Sequence, residues 1–134
     1  MSLYQISNID CTKAIFADEY RKTSRLIILE EAIAHNVNVI KNKTSARIIA
    51  VIKENGYGTG LINEYEILRK QGIDFFAVAD ADDALLLRDY GATEDILLMT
   101  PSYDKEELKE LVFENIVVTL ESERKLDTLK TIFR

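Results

Sequence analysis

From Arg47 onward, hydrophobic and polar positions along the chain alternate between two textures. Short β-rich runs, "RIIAVI", "DFFAVA", "DILLM" and "NIVVTL", start at Arg47, Asp74, Asp95 and Asn115, at steps of 27, 21 and 20 residues. Runs this short and this continuously apolar read as strands covered on both faces. Each is followed by a stretch whose apolar residues recur every three or four positions, the spacing of one helix face. "LINEYEILRKQG" sets Leu61, Tyr65 and Leu68 on one face and Gly72 in the C-cap position. "DADDALLLRDYG" is acidic at its start, basic near its end and closed by Gly91, the polarity that suits a helix dipole. In "YDKEELKELVFEN", Asp104 is placed to N-cap, and Leu108, Leu111 and Val112 form the inner stripe. "ESERKLDTLKTIFR" turns Leu126, Leu129 and Ile132 or Phe133 inward.

Four βα units in a row predict an α/β fold with a parallel sheet covered by helices. Their steps are loosely repetitive, as barrel units are, and lack the tandem identity of a stacked solenoid. Upstream, "LIIL" reads as a short strand, and Ile33, Val37 and Ile40 recur at helical spacing between about Glu30 and Lys43. Residues 1–24 form a polar, weakly patterned arm to which the pattern assigns no role, leaving 25–134 as the folded unit. No Gly/Ser/Pro-rich linker divides the chain, and the single proline, Pro101, falls where a βα loop belongs.

Composition narrows the class. The 134 residues fit one domain, with 47% apolar residues for a core and 30% charged residues for a wet surface. A net charge of −6 with no basic stripe disfavours nucleic acid and anionic membrane as partners. No window approaches the roughly 18–20 unbroken apolar residues of a membrane span. The N-terminal "MSLYQISNIDCTK" lacks the layout of a secretory signal. A single cysteine, Cys11, makes neither an internal disulfide nor a zinc site, so a reducing cytoplasm is the expected home. His35, alone of its kind and inside a helical pattern, reads as structural.

The chemistry concentrates in "AVIKENGYGTG", Ala50 to Gly60. A parallel βα sheet presents its functional groups at the C-terminal ends of its strands, and Lys53 stands at such an end. An amine held against a desolvated core is a good nucleophile, the kind that forms a Schiff base with an aldehyde cofactor. Gly56, Gly58 and Gly60 free the backbone for a tight turn, and Tyr57 inside that turn offers a hydroxyl to a phosphate. On spacing alone the alternative stands beside this, because glycine-rich βα turns are common and a lysine near one is often merely solvated. "GYGTG" is one residue short of the dinucleotide pattern, and no phosphate-binding P-loop follows any strand. The carboxylates of Asp80, Asp82 and Asp83 lie at a helix start, where acids satisfy free N–H groups, and are read as structural rather than as a metal cluster. "DKEELKE" and "ESERK" are read as solvated helix faces, and Tyr4, Tyr20, Tyr90 and Tyr103 show no partner in the sequence.

"AVIKENGYGTG" resembles the pyridoxal-phosphate signature of bacterial alanine racemases, A-V-V-K-A-N/D-A/G-Y-G-x-G. "RLIILEEAIAHNVNVIKN" is similar to that family's opening strand and helix, and "LRKQGIDFFAVADADDALLLRDYGATEDILLM" to its second barrel unit and third strand. The resemblance runs over roughly residues 25–120. It implies a TIM-type (β/α) barrel, here partial, that binds pyridoxal 5'-phosphate at its mouth. Lys53 matches the lysine that holds the cofactor as a Schiff base and moves the α-proton on one face. Tyr57 matches the tyrosine that hydrogen-bonds the cofactor phosphate. Thr59 stands where many members carry histidine, and Glu54 where many carry alanine.

The family pattern continues through four more barrel units and a β-rich domain. That second half supplies further phosphate ligands, an arginine at the pyridine nitrogen and, from a partner subunit, the opposite-face tyrosine. The chain therefore resembles the front half of a racemase barrel. The expectations are a fragment, a truncated relative or one piece of a split protein, with little racemase activity alone. The substrate implied is a small amino acid, L-alanine to D-alanine in the family. The alternative is a non-catalytic half-barrel acting through a partner chain. The predicted outer strands, "RIIAVI" and "NIVVTL", are apolar and lack proline, which predicts self-association, most simply as a homodimer.

Overall fold

The computed structural model of the chain describes residues 26–132, so the calls on Cys11, Tyr4, Tyr20, Phe133 and the arm lie outside the described residues. The elements are α1 (Glu30–Lys41), β1 (Ala50–Val51), α2 (Lys53–Tyr57), α3 (Leu61–Lys70), β2 (Phe75–Val78), α4 (Ala81–Asp89), β3 (Asp95–Leu98), α5 (Lys105–Phe113), β4 (Ile116–Val118) and α6 (Glu123–Ile132). The strands form one parallel sheet in the order β1-β2-β3-β4. This is the partial barrel that the four βα units predict, with "RIIAVI" and "NIVVTL" supplying its edges.

Register decides which residues share a face. Ala50, Phe76, Ile96 and Ile116 stand side by side, as do Val51, Ala77, Leu97 and Val117. The first row, joined by Val78 and Leu98, packs beneath Leu61, Tyr65, Ala84, Leu87 and Leu111 from the helices. Each such large side chain contributes about 1.5–3 kcal/mol when fully buried. The second row faces the barrel interior, and its end members Val51 and Val117 remain 38% and 43% exposed.

Local signals set the helix ends. Asp80 accepts from the Asp83 N–H at 2.9 Å, and Asp104 accepts from the N–H groups of Glu106 and Glu107 at 2.9 Å each. These are the N-caps the sequence marks. Past α3, α4 and α5 the chain passes through a left-handed residue: Gly72, Gly91 and Asn115. Asn115 stands in for glycine because its short polar side chain tolerates that conformation.

Three expectations fail. "LIIL" forms no strand: Leu26 to Leu29 carry no ladder pairing and lead directly into α1. On α1, Val37 is buried but Ile40 is exposed. On α6, Leu126 is 39% exposed while Lys125 is buried, so the helix is rotated relative to its apolar pattern. Among the described residues α1 packs on α3 and α6 on α5, and part of each apolar stripe stays exposed.

The N-terminal end of the sheet is tied by long-range polar contacts. Arg47 Nε donates to Asp74 Oδ1 at 3.0 Å, Nη1 to Asp95 Oδ2 at 2.6 Å and Nη2 to the Asp74 carbonyl at 3.0 Å. One guanidinium thus joins the starts of three strands. Arg88 donates to the carbonyls of Ala92 (2.8 Å), Glu94 (2.9 Å), Glu114 (2.8 Å) and Asn115 (3.1 Å). Those carbonyls belong to the segments that enter β3 and β4. The Tyr65 hydroxyl donates to Glu94 at 2.6 Å, and Tyr90 packs edge-on against the Tyr65 ring.

Candidate functional site at the C-terminal rim

The site begins where β1 runs out. Ile52 is buried and donates its N–H to the Ala77 carbonyl at 2.9 Å, which extends the pairing by one residue. Lys53 follows at the C-terminal end of the sheet. It is half-buried and, among the described residues, its side-chain amine makes no hydrogen bond or ion pair.

The chain then does something the three glycines alone do not require. Glu54, Asn55, Gly56, Tyr57 and Gly58 have φ of 53°, 54°, 62°, 54° and 91°, a complete left-handed turn that forms most of α2. L-residues visit this region singly, because each non-glycine residue there costs about 1–2 kcal/mol. The surroundings must therefore enforce it. Gly58 N–H donates to the Glu54 carbonyl at 3.2 Å and Gly60 N–H to the Asn55 carbonyl at 2.8 Å. The Asn55 side-chain oxygen accepts from the Leu61 N–H at 2.9 Å, and Leu61 is anchored in the core. The Thr59 hydroxyl donates to the Gly56 carbonyl. Gly56 is buried, and a Cβ there would sit 2.8 Å from Glu64 Cγ and 3.0 Å from Thr59 Oγ1. Backbone strain of this kind collects at functional positions. Here it displays Lys53 and Tyr57 in one turn at the rim, with Tyr57 63% exposed.

The acidic run beside it supplies a helix cap, as its place at a helix start suggests. Asp80 caps α4, and burial together with Asp80, Glu54 and Asp82 pushes the Asp83 carboxyl up. Among the described residues no group of His, Cys, Asp and Glu suits a metal ion.

Two buried polar side chains lie in the segments that follow β3 and β4. Ser102 and Lys125 are 7% and 3% exposed, and among the described residues Ser102 Oγ and Lys125 Nζ have no hydrogen-bond partner. Lys125 Nζ lies 3.6 Å from Glu121 Oε2 and 5.9 Å from the centre of the Tyr103 ring. "ESERK" reads as a solvated face, and Lys125 corrects that reading. Tyr103 likewise has partners that the sequence does not reveal. Neither the groove of about 480 Å³ between α4 and α5 nor the one of about 200 Å³ near Arg47 includes Lys53.

Residues 28–134 match the family described as "Alanine racemase, N-terminal domain". The alanine racemase of Haemophilus influenzae is 36% identical over 104 residues, covering 77% of this chain and 29% of that protein. Among solved structures, the alanine racemase from Oenococcus oeni superposes with a TM-score of 0.70 at 27% identity, over 77% of this chain and 30% of its own. Histidine racemase from Leuconostoc mesenteroides superposes with a TM-score of 0.72 at 28% identity, over 78% of this chain and 28% of its own. The chain thus spans less than a third of the length of these relatives.

Proposed function

Because the chain belongs to the family of alanine racemase N-terminal domains, we propose that it is the cofactor-bearing part of a pyridoxal-phosphate-dependent amino acid racemase, an isomerase. The observation that carries this reading is the unpartnered amine of Lys53, placed at the end of β1 and followed by an enforced left-handed turn.

The donor set fits the cofactor. A half-buried primary amine suits an aldehyde, and the exposed Tyr57 hydroxyl in the same turn suits a phosphate. Pyridoxal phosphate, when bound, supplies an electron sink for the α-carbon of an amino acid. Lys53 would hold the cofactor through its amine and would move the α-proton at Nζ on one face. Tyr57 would offer its hydroxyl to the phosphate. The turn fixes both relative to the sheet, because Leu61 and Ile52 anchor its two ends in the core.

The substrate proposed is a small amino acid, alanine in most of the relatives. The likeness to a histidine racemase means that the shared fold does not set the side chain accepted. We place the activity in the cytoplasm, in D-amino acid supply. No described helix is long and apolar enough to cross a membrane. Racemisation needs a base on each face of the α-carbon, and Lys53 is the one proton-moving residue with a family match here. With cofactor in excess, D-alanine formation by this chain alone is therefore expected to be negligible. Cofactor retention, read by absorbance after gel filtration, should be lost in Lys53→Ala and weakened in Tyr57→Phe by about 1.5–3 kcal/mol, the value of a hydrogen bond to a charged group. Equal retention by wild type and Lys53→Ala contradicts the proposal.

A second reading is a non-catalytic half-barrel, favoured by the open β1 and β4 edges and the exposure of Val51 and Val117. Both readings expect the edges to be covered by association, as a homodimer or with a partner chain. Sedimentation at micromolar concentration tests this, and a clean monomer argues against it.

A further inference from the structure

The groove between α4 and α5 encloses about 480 Å³ and is lined by no residue of the Lys53 turn. Ala81, Leu85 and Phe113 give it an apolar wall, and Phe113 is 72% exposed. One exposed phenylalanine is ordinary on a protein surface. Here it shares a groove with the carboxylates of Asp82, Glu106, Glu107 and Glu110 and a single lysine, Lys109. Lys109 pairs with Glu106 at 3.7 Å. Among the described residues, the side chains of Asp82, Glu107 and Glu110 accept no hydrogen bond and form no ion pair.

Helix polarity accounts for part of this charge. Asp82 lies in the first turn of α4, and Glu106 and Glu107 in the first turn of α5, where the dipole favours acids. Glu110 lies in the last turn of α5, where the dipole disfavours a carboxylate, and it follows Glu106 by four positions. Like charges at that spacing destabilise a helix. The groove is thus short of positive charge beside an exposed aromatic ring.

The complement lies in the same chain. Residues 13–25, "KAIFADEYRKTSR", carry Lys13, Arg21, Lys22 and Arg25 against Asp18 and Glu19, a positive surplus in a chain of net charge −6. Phe16 and Tyr20 stand four positions apart, and Tyr20 directly precedes Arg21 and Lys22. Reach permits contact with the groove. Lys70, at the end of α3, pairs with Glu30 at 3.6 Å, which sets the start of α1 beside that end. The strand order sets α4 and then α5 beyond α3. Packed helices lie about 8–10 Å apart, so two spacings are about 20 Å. From Leu26 back to Tyr20 and to Phe16 an extended chain spans up to about 20 and about 33 Å.

We propose that residues 13–25 dock in the α4–α5 groove of their own chain. Phe16 and Tyr20 lie against Phe113 and Leu85, and Arg21 and Lys22 stand opposite Glu107 and Glu110. The aromatic rings supply buried area, and the unmatched carboxylates supply register.

Cys11 is the chain's single cysteine and lies two positions before this segment, so a nitroxide attached to it reports where the segment sits. The label is read in the amide spectrum of the isotope-labelled full chain, without cofactor. The amides of Leu85, Glu110 and Phe113 should broaden several-fold more than those of Ile48 and Ile73, which line the groove near Arg47. Reversing the groove charge with Glu107→Lys and Glu110→Lys should remove the excess broadening, and adding Arg21→Glu and Lys22→Glu to that protein should restore it. Should the groove variants not fold, Arg21→Glu with Lys22→Glu decides alone, because it leaves the described residues intact and should remove the excess by itself. Equal broadening of both grooves, excess that survives either charge reversal, or no recovery in the combined variant overturns the proposal. So does broadening passed from a spin-labelled chain to isotope-labelled Cys11→Ser chains, which would place the segment on a second copy. No outcome bears on whether Lys53 holds a cofactor.

Discussion

At the N-terminal end of the sheet, Arg47 and Arg88 are spent on the carboxylates of Asp74 and Asp95 and on a ring of strand-entry carbonyls. At the C-terminal end, Lys53 and Lys125 meet no hydrogen-bond acceptor among the described residues. The same contrast holds for the backbone. Left-handed residues near the N-terminal end are single and close helices, whereas those at the C-terminal end run consecutively through Glu54, Asn55, Gly56, Tyr57 and Gly58. One end is satisfied and relaxed; the other is strained and has free donors. In parallel βα architectures the first pattern marks stability and the second marks the functional face. Substitutions at the two ends should therefore separate stability from cofactor retention.

The largest expected effect is at Arg88. Arg88→Ala leaves four carbonyls without their donor, two of them in part-buried hydrogen bonds, and should lower stability by about 3 kcal/mol in urea unfolding. The fraction that remains folded should still retain cofactor. Loss of retention in a folded Arg88→Ala protein would break the division between the two ends. Next is Gly56→Val, which places a β-branched side chain at φ 62° against Glu64 and Thr59. It should cost about 2 kcal/mol and, unlike Arg88→Ala, abolish cofactor retention.

A smaller and pH-dependent effect is expected at Tyr65. Burial pushes the Glu94 carboxyl up, but the Tyr65 hydroxyl and the N–H groups of Glu94 and Thr93 outweigh it and hold the carboxyl below the usual range. The Tyr65 hydroxyl itself is pushed up by burial and by Glu94, so it remains a donor at neutral pH. A depressed carboxyl contributes stability above its unfolded value and loses it as pH falls through the folded one. Tyr65→Phe should thus be about 1.5 kcal/mol less stable at pH 7, with the gap closing below about pH 4.3. A gap that stays constant to pH 2 would mean packing, not the hydrogen bond, is responsible.

The smallest effect should have the opposite sign. Glu54→Gly relieves a left-handed φ of 53° and removes one of the negative charges that raise the Asp83 carboxyl. It should stabilise by about 1 kcal/mol. Destabilisation would show that Glu54 holds the turn through contacts rather than suffering it.

Much of this architecture is legible in the sequence because its signals are local. The strand centres, the caps at Asp80 and Asp104, and the stripe of Leu108 and Leu111 follow from neighbours a few positions apart. Lys53 is legible at the end of its strand for the same reason. What escapes depends on distant partners. "LIIL" has strand composition but no strand to pair with among the described residues. Arg47 meets Asp95 across 48 positions, and nothing in either segment announces it. Lys125 sits in a run of charges that any periodic reading assigns to water, yet the chain buries it against Tyr103 and Glu121. In the key turn the glycines were visible, but the left-handed conformations of Glu54, Asn55 and Tyr57 were not. Their own preferences oppose it, and the bonds to Gly58, Gly60 and Leu61, with the Thr59 hydroxyl bond to Gly56, impose it.

The central claim is that the free amine at the end of β1 is built to hold an aldehyde cofactor. Incubation with pyridoxal phosphate, reduction with borohydride and peptide mapping test it most directly. The expected result is one dominant modified peptide containing Lys53, absent in Lys53→Ala and retained in Arg88→Ala. Modification spread evenly over the surface lysines, or unchanged by Lys53→Ala, would contradict the account.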